Sequence, residues 1–421
     1  IDNKSFEVRR ENLVNILDNF KNILEKEKLN NLNIFIDIDE MQIKVKKYNA
    51  YARILEDDSY EIEIGFDLIG KMIAELKSGM IMGVNKYVII TDSNCKEFYG
   101  DKMLTKMVEE GFQTELFYFE AGEEYKTRET KAQLEDKLLE KGYGRDTCII
   151  ALGGGVVTDL VGFLAGTYCR GIPVIYYATT ILAAADASIG GKTAVDTPLA
   201  TNYIGIFRQP DKIYLDMKTW ETLPIREVRA GLVETIKHAC LYDKDFFEYL
   251  EKNIDKIVNA DNKVLDKEVC EYITQKNCQI KYDVVIQDEK EENLRQILNL
   301  GHTLGRALET LVEFKYNHGE CVAIGLVYQA RIANDLGYLD KIDVARIENL
   351  LKKISLEIEI PQDITTEVLV SKMHTDKKSK NNKIRFVFME SIGKIKEFEN
   401  GNFSTKVEDE YLLDVIERVR R

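Results

Sequence analysis

The residues able to do metal or proton chemistry are few, and they gather in the second half of the chain. Only four histidines occur, His238, His302, His318 and His374. Two lie in glycine-bearing motifs, Asn299-Leu-Gly-His302-Thr-Leu-Gly-Arg306 and Asn317-His318-Gly319-Glu320, sixteen residues apart, as expected for the facing ends of a helical hairpin. Glu234, in Gly231-Leu-Val-Glu234-Thr-Ile-Lys237, interrupts an otherwise apolar helix face. Two imidazoles and one carboxylate make a catalytic zinc set, with a coordination position open for water or a substrate hydroxyl. Spacing alone leaves this trio one choice among several, and each histidine taken singly reads more readily as a satisfied core or capping residue.

A second constellation handles anions. Thr147-Cys-Ile-Ile-Ala-Leu-Gly153-Gly154-Gly155-Val-Val-Thr-Asp159 reads as strand, tight turn, helix, with glycines that let the backbone approach a pyrophosphate and unpaired N–H groups at the helix start. Gly153 and Gly155 fit the dinucleotide fingerprint, but Thr158 stands where its third glycine belongs, so a plain turn of an α/β domain fits as well. Tyr87-Val-Ile-Ile-Thr-Asp92 is a strand ending in an acid, placed either to accept hydrogen bonds from ribose hydroxyls or to cap a turn. Gly190-Gly-Lys192-Thr resembles the end of a P-loop, yet Asp186 replaces the early glycine, which argues against a Walker site and leaves a polar pocket or a surface turn. Arg295 and Arg306 flank His302, and Lys237 and Lys281 fall in helices with apolar faces; these bases suit a substrate carrying phosphate and carboxylate, or are ordinary solvent-facing charges. The loop Gly122-Glu123-Glu-Tyr-Lys126 reads on charge alone as a solvated face.

Strands and helices alternate up to about Thr222, and helical periods dominate afterwards, over 227–242, 246–258, 264–283, 294–314 and 322–336. The expected architecture is an α/β Rossmann-like nucleotide-binding domain over 51–222 packed on an all-α metal-binding domain over 223–421, with a cleft between them. Residues 1–50 form an extension with a helical pattern near Phe6 to Lys26 and a strand-like run from Asn33 to Asp39. A start at Ile1 points to a fragment or a processed chain, in which this piece is an appendage, part of something longer, or an oligomer contact. A net charge of −14 argues against nucleic-acid and anionic-membrane surfaces but permits a basic pocket for an anionic substrate. Seven cysteines without a C-x-x-C pair, no signal-peptide pattern and no membrane-length apolar run read as a reduced, cytoplasmic protein.

Taken together, these segments resemble the 3-dehydroquinate synthase family of sugar-phosphate cyclases, from about Tyr60 to Phe398. The matching motifs are Gly122-Glu123-x-x-Lys126, Gly144-Arg-Asp-Thr-x-Ile-Ile-Ala-Leu-Gly-Gly-Gly155-Val-Val-x-Asp159, Thr179-Thr180-x-Leu-x-Ala-x-Asp186-x-Ser-Ile-Gly-Gly-Lys192-Thr, Gly231-x-x-Glu234-x-Ile-Lys237, Leu294-Arg295-x-Ile-Leu-Asn299-x-Gly-His302-Thr and His318-Gly-Glu-x-Val-Ala-Ile-Gly325. The resemblance implies zinc, or alternatively cobalt, on Glu234, His302 and His318. It implies NAD held by Asp92, Glu123, Lys126, Gly154, Gly155, Asp159, Thr179, Thr180, Asp186 and Thr222. Asp186, Lys192, Lys237, Lys281, Arg295, Asn299 and Arg306 would act on 3-deoxy-D-arabino-heptulosonate 7-phosphate, with Asn202 and Lys377 of the Asp376-Lys377-Lys378 loop binding it. Arg170 would reach into a neighbouring subunit's site, which implies a homodimer. The family's chemistry is transient oxidation of a ring hydroxyl by NAD, β-elimination of phosphate, return of the hydride, ring opening and intramolecular aldol closure.

Two positions depart from the family pattern: Arg306 stands where histidine is usual, and Thr201-Asn202 where Lys-Asn is common. Arginine binds phosphate but carries no proton near neutral pH. The rival readings are a cyclase for a neutral-headed sugar phosphate, against which Lys281 and Arg295 speak, a metal-dependent alcohol dehydrogenase that releases NADH, and a non-catalytic relative that uses the scaffold for binding.

Overall fold

The computed structural model describes residues 59–258, 265–312, 315–374 and 383–420, and the backbone of 32–37 and 42–47. The expected helix near Phe6 to Lys26 and the Asp376-Lys377-Lys378 loop lie outside the described residues. The chain falls into two compact units, 1–59 and 60–421. In the first, β1 (Leu32–Asp37) and β2 (Gln42–Lys47) pair antiparallel.

The second unit is built on a six-stranded sheet, every pairing of which is parallel. Its strands are β3 (Glu61–Gly65), β4 (Lys86–Asp92), β5 (Gln113–Phe119), β6 (Thr147–Gly153), β7 (Val174–Ala178) and β10 (Lys212–Asp216), in the order β3-β10-β7-β6-β4-β5. A two-stranded antiparallel ribbon, β8 (Lys192–Thr197) and β9 (Ala200–Phe207), lies outside it. Strands of a parallel sheet are covered on both faces, so they read as continuous apolar runs, and β6 is buried at every residue. The pleat sorts them: Tyr87, Ile89, Ile150, Leu152, Ile175 and Tyr177 pack with Met72, Ile73, Met103 and Met107 on one side. Val88, Ile90, Ile149, Ala151, Val174 and Tyr176 face the other way and share one core with Leu232, Ile236, Leu304 and Val327 of the helical half. One hydrophobic core therefore runs beneath both kinds of architecture, which fixes the helices relative to the sheet.

From β5 the chain crosses back over β4 to β6, so strand order reverses between β4 and β6. Loops leaving the carboxyl ends of these strands diverge there, opening the crevice in which doubly wound sheets bind ligands. After β6 the glycine turn enters α1 (Gly155–Thr167). The helical half carries α2 (Ile225–Tyr242), α3 (Lys267–Val285), α4 (His302–Leu311), α5 (His318–Asp335) and α6 (Lys341–Lys353).

The single helix expected over 294–314 is broken. A 3-10 turn, Leu294–Asn299, ends at Leu300, and Gly301 takes a left-handed φ of 80° before α4 begins. The reason is close packing: a Cβ on Gly325 would lie 2.0 Å from Gly301 O, and one on Gly305 would lie 3.0 Å from Cys321 O. Glycine on both helices lets α4 and α5 cross backbone to backbone, and the Gly301 N–H, freed from the helix, donates to Gln329 Oε1 at 2.8 Å. No helix among the described residues is long and apolar enough to cross a membrane.

Candidate active site

Helix packing assembles the trio. A Cβ on Gly319 would lie 2.2 Å from Ala230 O, so α5 touches α2 one turn before Glu234 and delivers His318 to it. His302 arrives as the first residue of α4. Nε2 of His302 and Nε2 of His318 each lie 3.8 Å from Glu234 Oε1, with ring centroids 5.3 Å apart. Ligand atoms on a tetrahedral zinc with bonds of about 2.0–2.1 Å sit about 3.3 Å from one another, so this opening is of the right size.

Hydrogen bonding fits a cation as well. The Nδ1 atoms are engaged elsewhere, His302 with Leu300 O at 3.2 Å and His318 with the Glu309 carboxylate at 3.3 Å, which leaves the two Nε2 atoms converging on Glu234. Both oxygens of the fully buried Glu234 lack a hydrogen-bond partner, although Lys237 Nζ is in ion-pair contact with Oε2. The two rings differ electrically. Burial, together with the charges of Lys237 and Arg306, drives His302 well below the usual imidazole range. Burial also opposes charge on His318, but Glu309 outweighs it and holds this ring up to about 9.

Asp186, Glu234 and His238 form a second group with suitable spacing. Lys281 grips Asp186, so this group has less to offer another cation than the trio.

The basic pocket adjoins the trio through Asp186, which lies on a π-helical turn, Ala183–Ala187, after β7. Lys281 donates to both its carboxylate and its backbone carbonyl. Arg295, 1% exposed despite its charge, donates to Gly190 O at 2.8 Å and to Glu289 O. Lys192, at the start of β8, pairs with Glu291, whose other oxygen accepts from Asn299 Nδ2 at 2.5 Å. Desolvation by the surrounding walls lowers the Lys192 ammonium to about 8, with Glu291 pulling the other way, although its side chain is 43% exposed. The charge of Arg306 is felt by Lys192, His302 and His318.

The glycine turn faces this assembly. A Cβ on Gly154 would lie 2.9 Å from Thr180 Cγ2, one on Gly155 would lie 3.2 Å from Ala187 Cβ, and one on Gly231 would lie 2.8 Å from Leu182 N. The segment 180–187 is thus sandwiched between the anion turn and α2, so Gly154, Asp186 and Glu234 are successive neighbours. Thr158 is not the tight contact of the dinucleotide fingerprint; Gly162 is, one turn later, where a Cβ would strike Tyr176 Oη at 2.1 Å.

At this turn Lys126, 3% exposed, stands among three carboxylates: Glu123 in direct contact, Asp159 at 3.6 Å and Asp196 at 3.7 Å. The charged-loop reading of 122–126 as a solvated face is therefore wrong for Lys126. Asp92 ends β4 and accepts from Cys95 N–H at 2.7 Å, and Cys95 Sγ lies 3.4 Å from Thr179 Oγ1. Thr219 donates to Thr179 O at 3.0 Å, while Thr222 pairs with Tyr99. Asn202, with a φ of 54°, gives its N–H to Asp196 Oδ1 at 2.6 Å and so lies by the Lys126 cluster. Arg170 does not join the site of its own chain: it is exposed at the far end of α1, about 20 Å along the helix axis from the glycine turn.

Three further carboxylates belong to the site. Glu291 lies in an acidic run, 287–293, that reads as solvated; a left-handed φ of 61° turns it inward. Glu309 was legible, because 302, 306 and 309 share one helix face. Asp196 carries no signal beyond its place in a strand pattern.

A family model described as 3-dehydroquinate synthase N-terminal matches residues 116–230, and one described as 3-dehydroquinate synthase C-terminal matches residues 231–379. The chain is 41% identical over 346 residues to the 3-dehydroquinate synthase of Thermodesulfovibrio yellowstonii, covering 81% of this chain and 94% of that one. Among solved structures it is similar to 2-deoxy-scyllo-inosose synthase complexed with carbaglucose-6-phosphate, NAD+ and Co2+, with TM-score 0.76, 26% identity and coverage of 85% and 96% of the two chains. The 2-epi-5-epi-valiolone synthase of Streptomyces hygroscopicus, solved with NAD+ and Zn2+, shares the fold at TM-score 0.77 and 22% identity, covering 87% of this chain and 99% of that one.

Proposed function

The chain belongs to the 3-dehydroquinate synthase family, and from that premise we propose that it converts 3-deoxy-D-arabino-heptulosonate 7-phosphate to 3-dehydroquinate and phosphate, a step of aromatic biosynthesis in the shikimate pathway. The observation that carries this reading is the adjacency of three elements across segment 180–187: the glycine turn, the basic pocket around Asp186, and the Glu234–His302–His318 trio. One sugar ring can touch all three.

Glu234, His302 and His318 would hold a divalent cation, zinc or cobalt. Asp92, Glu123, Lys126, Gly154, Gly155, Asp159, Thr179, Thr180, Asp186 and Thr222 would hold NAD. When bound, the cation supplies Lewis acidity to a ring hydroxyl and the dinucleotide supplies reversible hydride acceptance.

The chain's own groups do the rest. Lys281, which also grips Asp186, and Arg295, both buried beside the site, would bind the substrate carboxylate, since the two cations together outnumber the one carboxylate that Lys281 holds. Lys192, Asn299 and Arg306 would bind the phosphate, Arg306 adding a fork of donors and no proton transfer. Asn202, beside the Lys126 cluster, would meet the substrate from the cofactor side, and Lys377, outside the described residues, would be a further substrate ligand. Lys237 touches Glu234 and sets the charge next to the reacting hydroxyl. Arg170, exposed away from its own site, serves the second subunit of a homodimer.

The test is a coupled assay with the heptulosonate phosphate, NAD and zinc. The reading requires one phosphate released per dehydroquinate formed, without net NADH. Stoichiometric NADH accumulation would place the chain with the alcohol dehydrogenases instead.

A further inference from the structure

The function proposed above gives no task to Glu309. It sits on α4 seven residues after His302 and three after Arg306, on the face that carries both into the site. Its carboxylate is 22% exposed and lies 3.3 Å from Nδ1 of His318, while Nε2 of the same ring points toward Glu234. The Glu309 carboxylate can only accept, so it keeps a proton on Nδ1, and a cation that displaces the proton of Nε2 meets that nitrogen's lone pair. The need is greatest here, because the His318 side chain is 32% exposed against 6% for His302. Packing and a hydrogen bond to a neutral backbone carbonyl hold His302; His318 depends on the hydrogen bond it donates to one charged side chain.

We propose that Glu309 is a positioning residue for the cation centre: it fixes the tautomer and plane of the His318 ring and strengthens that ring as a ligand. A carboxylate behind a metal-binding imidazole raises its donor strength more than a carbonyl does. The two imidazoles of the trio are therefore unequal. This rests on the reading of Glu234, His302 and His318 as ligands.

The experiment is Co2+ binding to the metal-stripped protein, measured by competition with a chromophoric chelator and by the visible spectrum of the bound ion, for the wild type, Glu309→Gln, Glu309→Ala and Glu234→Ala. Removing such an outer carboxylate typically weakens metal binding about 10–100-fold, so Glu309→Ala is expected in that range and Glu309→Gln, which keeps an acceptor without the charge, between it and the wild type. The spectrum of the Co2+ complex should change in both variants, and NAD affinity of the metal-free protein in neither. Wild-type Co2+ affinity in Glu309→Gln and Glu309→Ala, with loss in Glu234→Ala, would overturn the role of Glu309 and leave the trio standing. Wild-type affinity in Glu234→Ala would overturn the ligand reading itself. Should Glu309→Ala fail to fold, the near-isosteric Glu309→Gln decides on the same two measurements.

Discussion

Lys281 of α3 donates to both the carboxylate and the backbone carbonyl of Asp186, ninety-five residues earlier, on the turn that follows β7. Burial alone would lift the Asp186 carboxyl; Lys281, and then Lys237, hold it well below the usual range. The pair fastens the helical half to the end of the sheet at the centre of the site. Lys281→Met should therefore destabilise the protein by about 3 kcal/mol, because a buried carboxylate loses its main partner. Lys281→Met/Asp186→Asn should recover part of that loss. Urea denaturation midpoints check both, and a single variant as stable as the wild type would show that the contact holds nothing together.

The carboxylates around Lys126 set a pH dependence. Burial pushes Asp159 up to about 7 and Asp196 up to about 6, against the pull of Lys126. An unfolded chain titrates its aspartates near about 3.9, so the folded state binds these protons more tightly. The resulting stability is complete below that value and is lost as pH rises through 6 and 7. The ligand-free protein should accordingly show a denaturation midpoint that falls from pH 5 to pH 8, with a shallower fall in Asp159→Asn. Equal slopes in the two proteins would rule out Asp159 as a source.

Under the proposed function Arg306 would offer the phosphate a guanidinium where the family usually has an imidazole. Arg306→His should raise KM for the sugar phosphate about tenfold, equivalent to about 1.4 kcal/mol, and add a titration near the imidazole range to the profile of kcat/KM. Steady-state kinetics across pH would show it. An unchanged KM would mean that Arg306 does not hold the phosphate.

Thr201 precedes Asn202, whose backbone N–H is spent on Asp196 in a cluster of three acids and one base. Thr201→Lys adds positive charge beside this acidic group and should tighten NAD binding by about 1 kcal/mol or less, in keeping with a partly exposed charge. Fluorescence titration with NAD reads this out. Unchanged or weaker binding would reject it.

Much of this was legible in the sequence because the chemistry is carried by short motifs. The glycine turn and the strand before it are marked by Gly153 to Gly155, whereas spacing left the trio one choice among several until helix packing brought Glu234, His302 and His318 together. What sequence hid was inward-turned charge. Lys126 and Glu291 lie in acidic loops whose composition says solvent, and only the left-handed backbone at Glu291 and the carboxylates around Lys126 turn them in. The break at Gly301 was hidden too, because its cause is the approach of α5, whose Gly325 is twenty-four residues further on. Periodicity along one helix carries no record of the backbone it must meet.

The central claim is that the trio and the glycine turn serve one ring. Phosphate release from the heptulosonate phosphate, with NAD and zinc present, measures it most directly when Glu234→Ala is compared with the wild type. Release should drop by a factor of about a thousand or more, as expected when the charge stabilising the reacting oxygen is withdrawn. Phosphate release at the wild-type rate in Glu234→Ala would contradict the account.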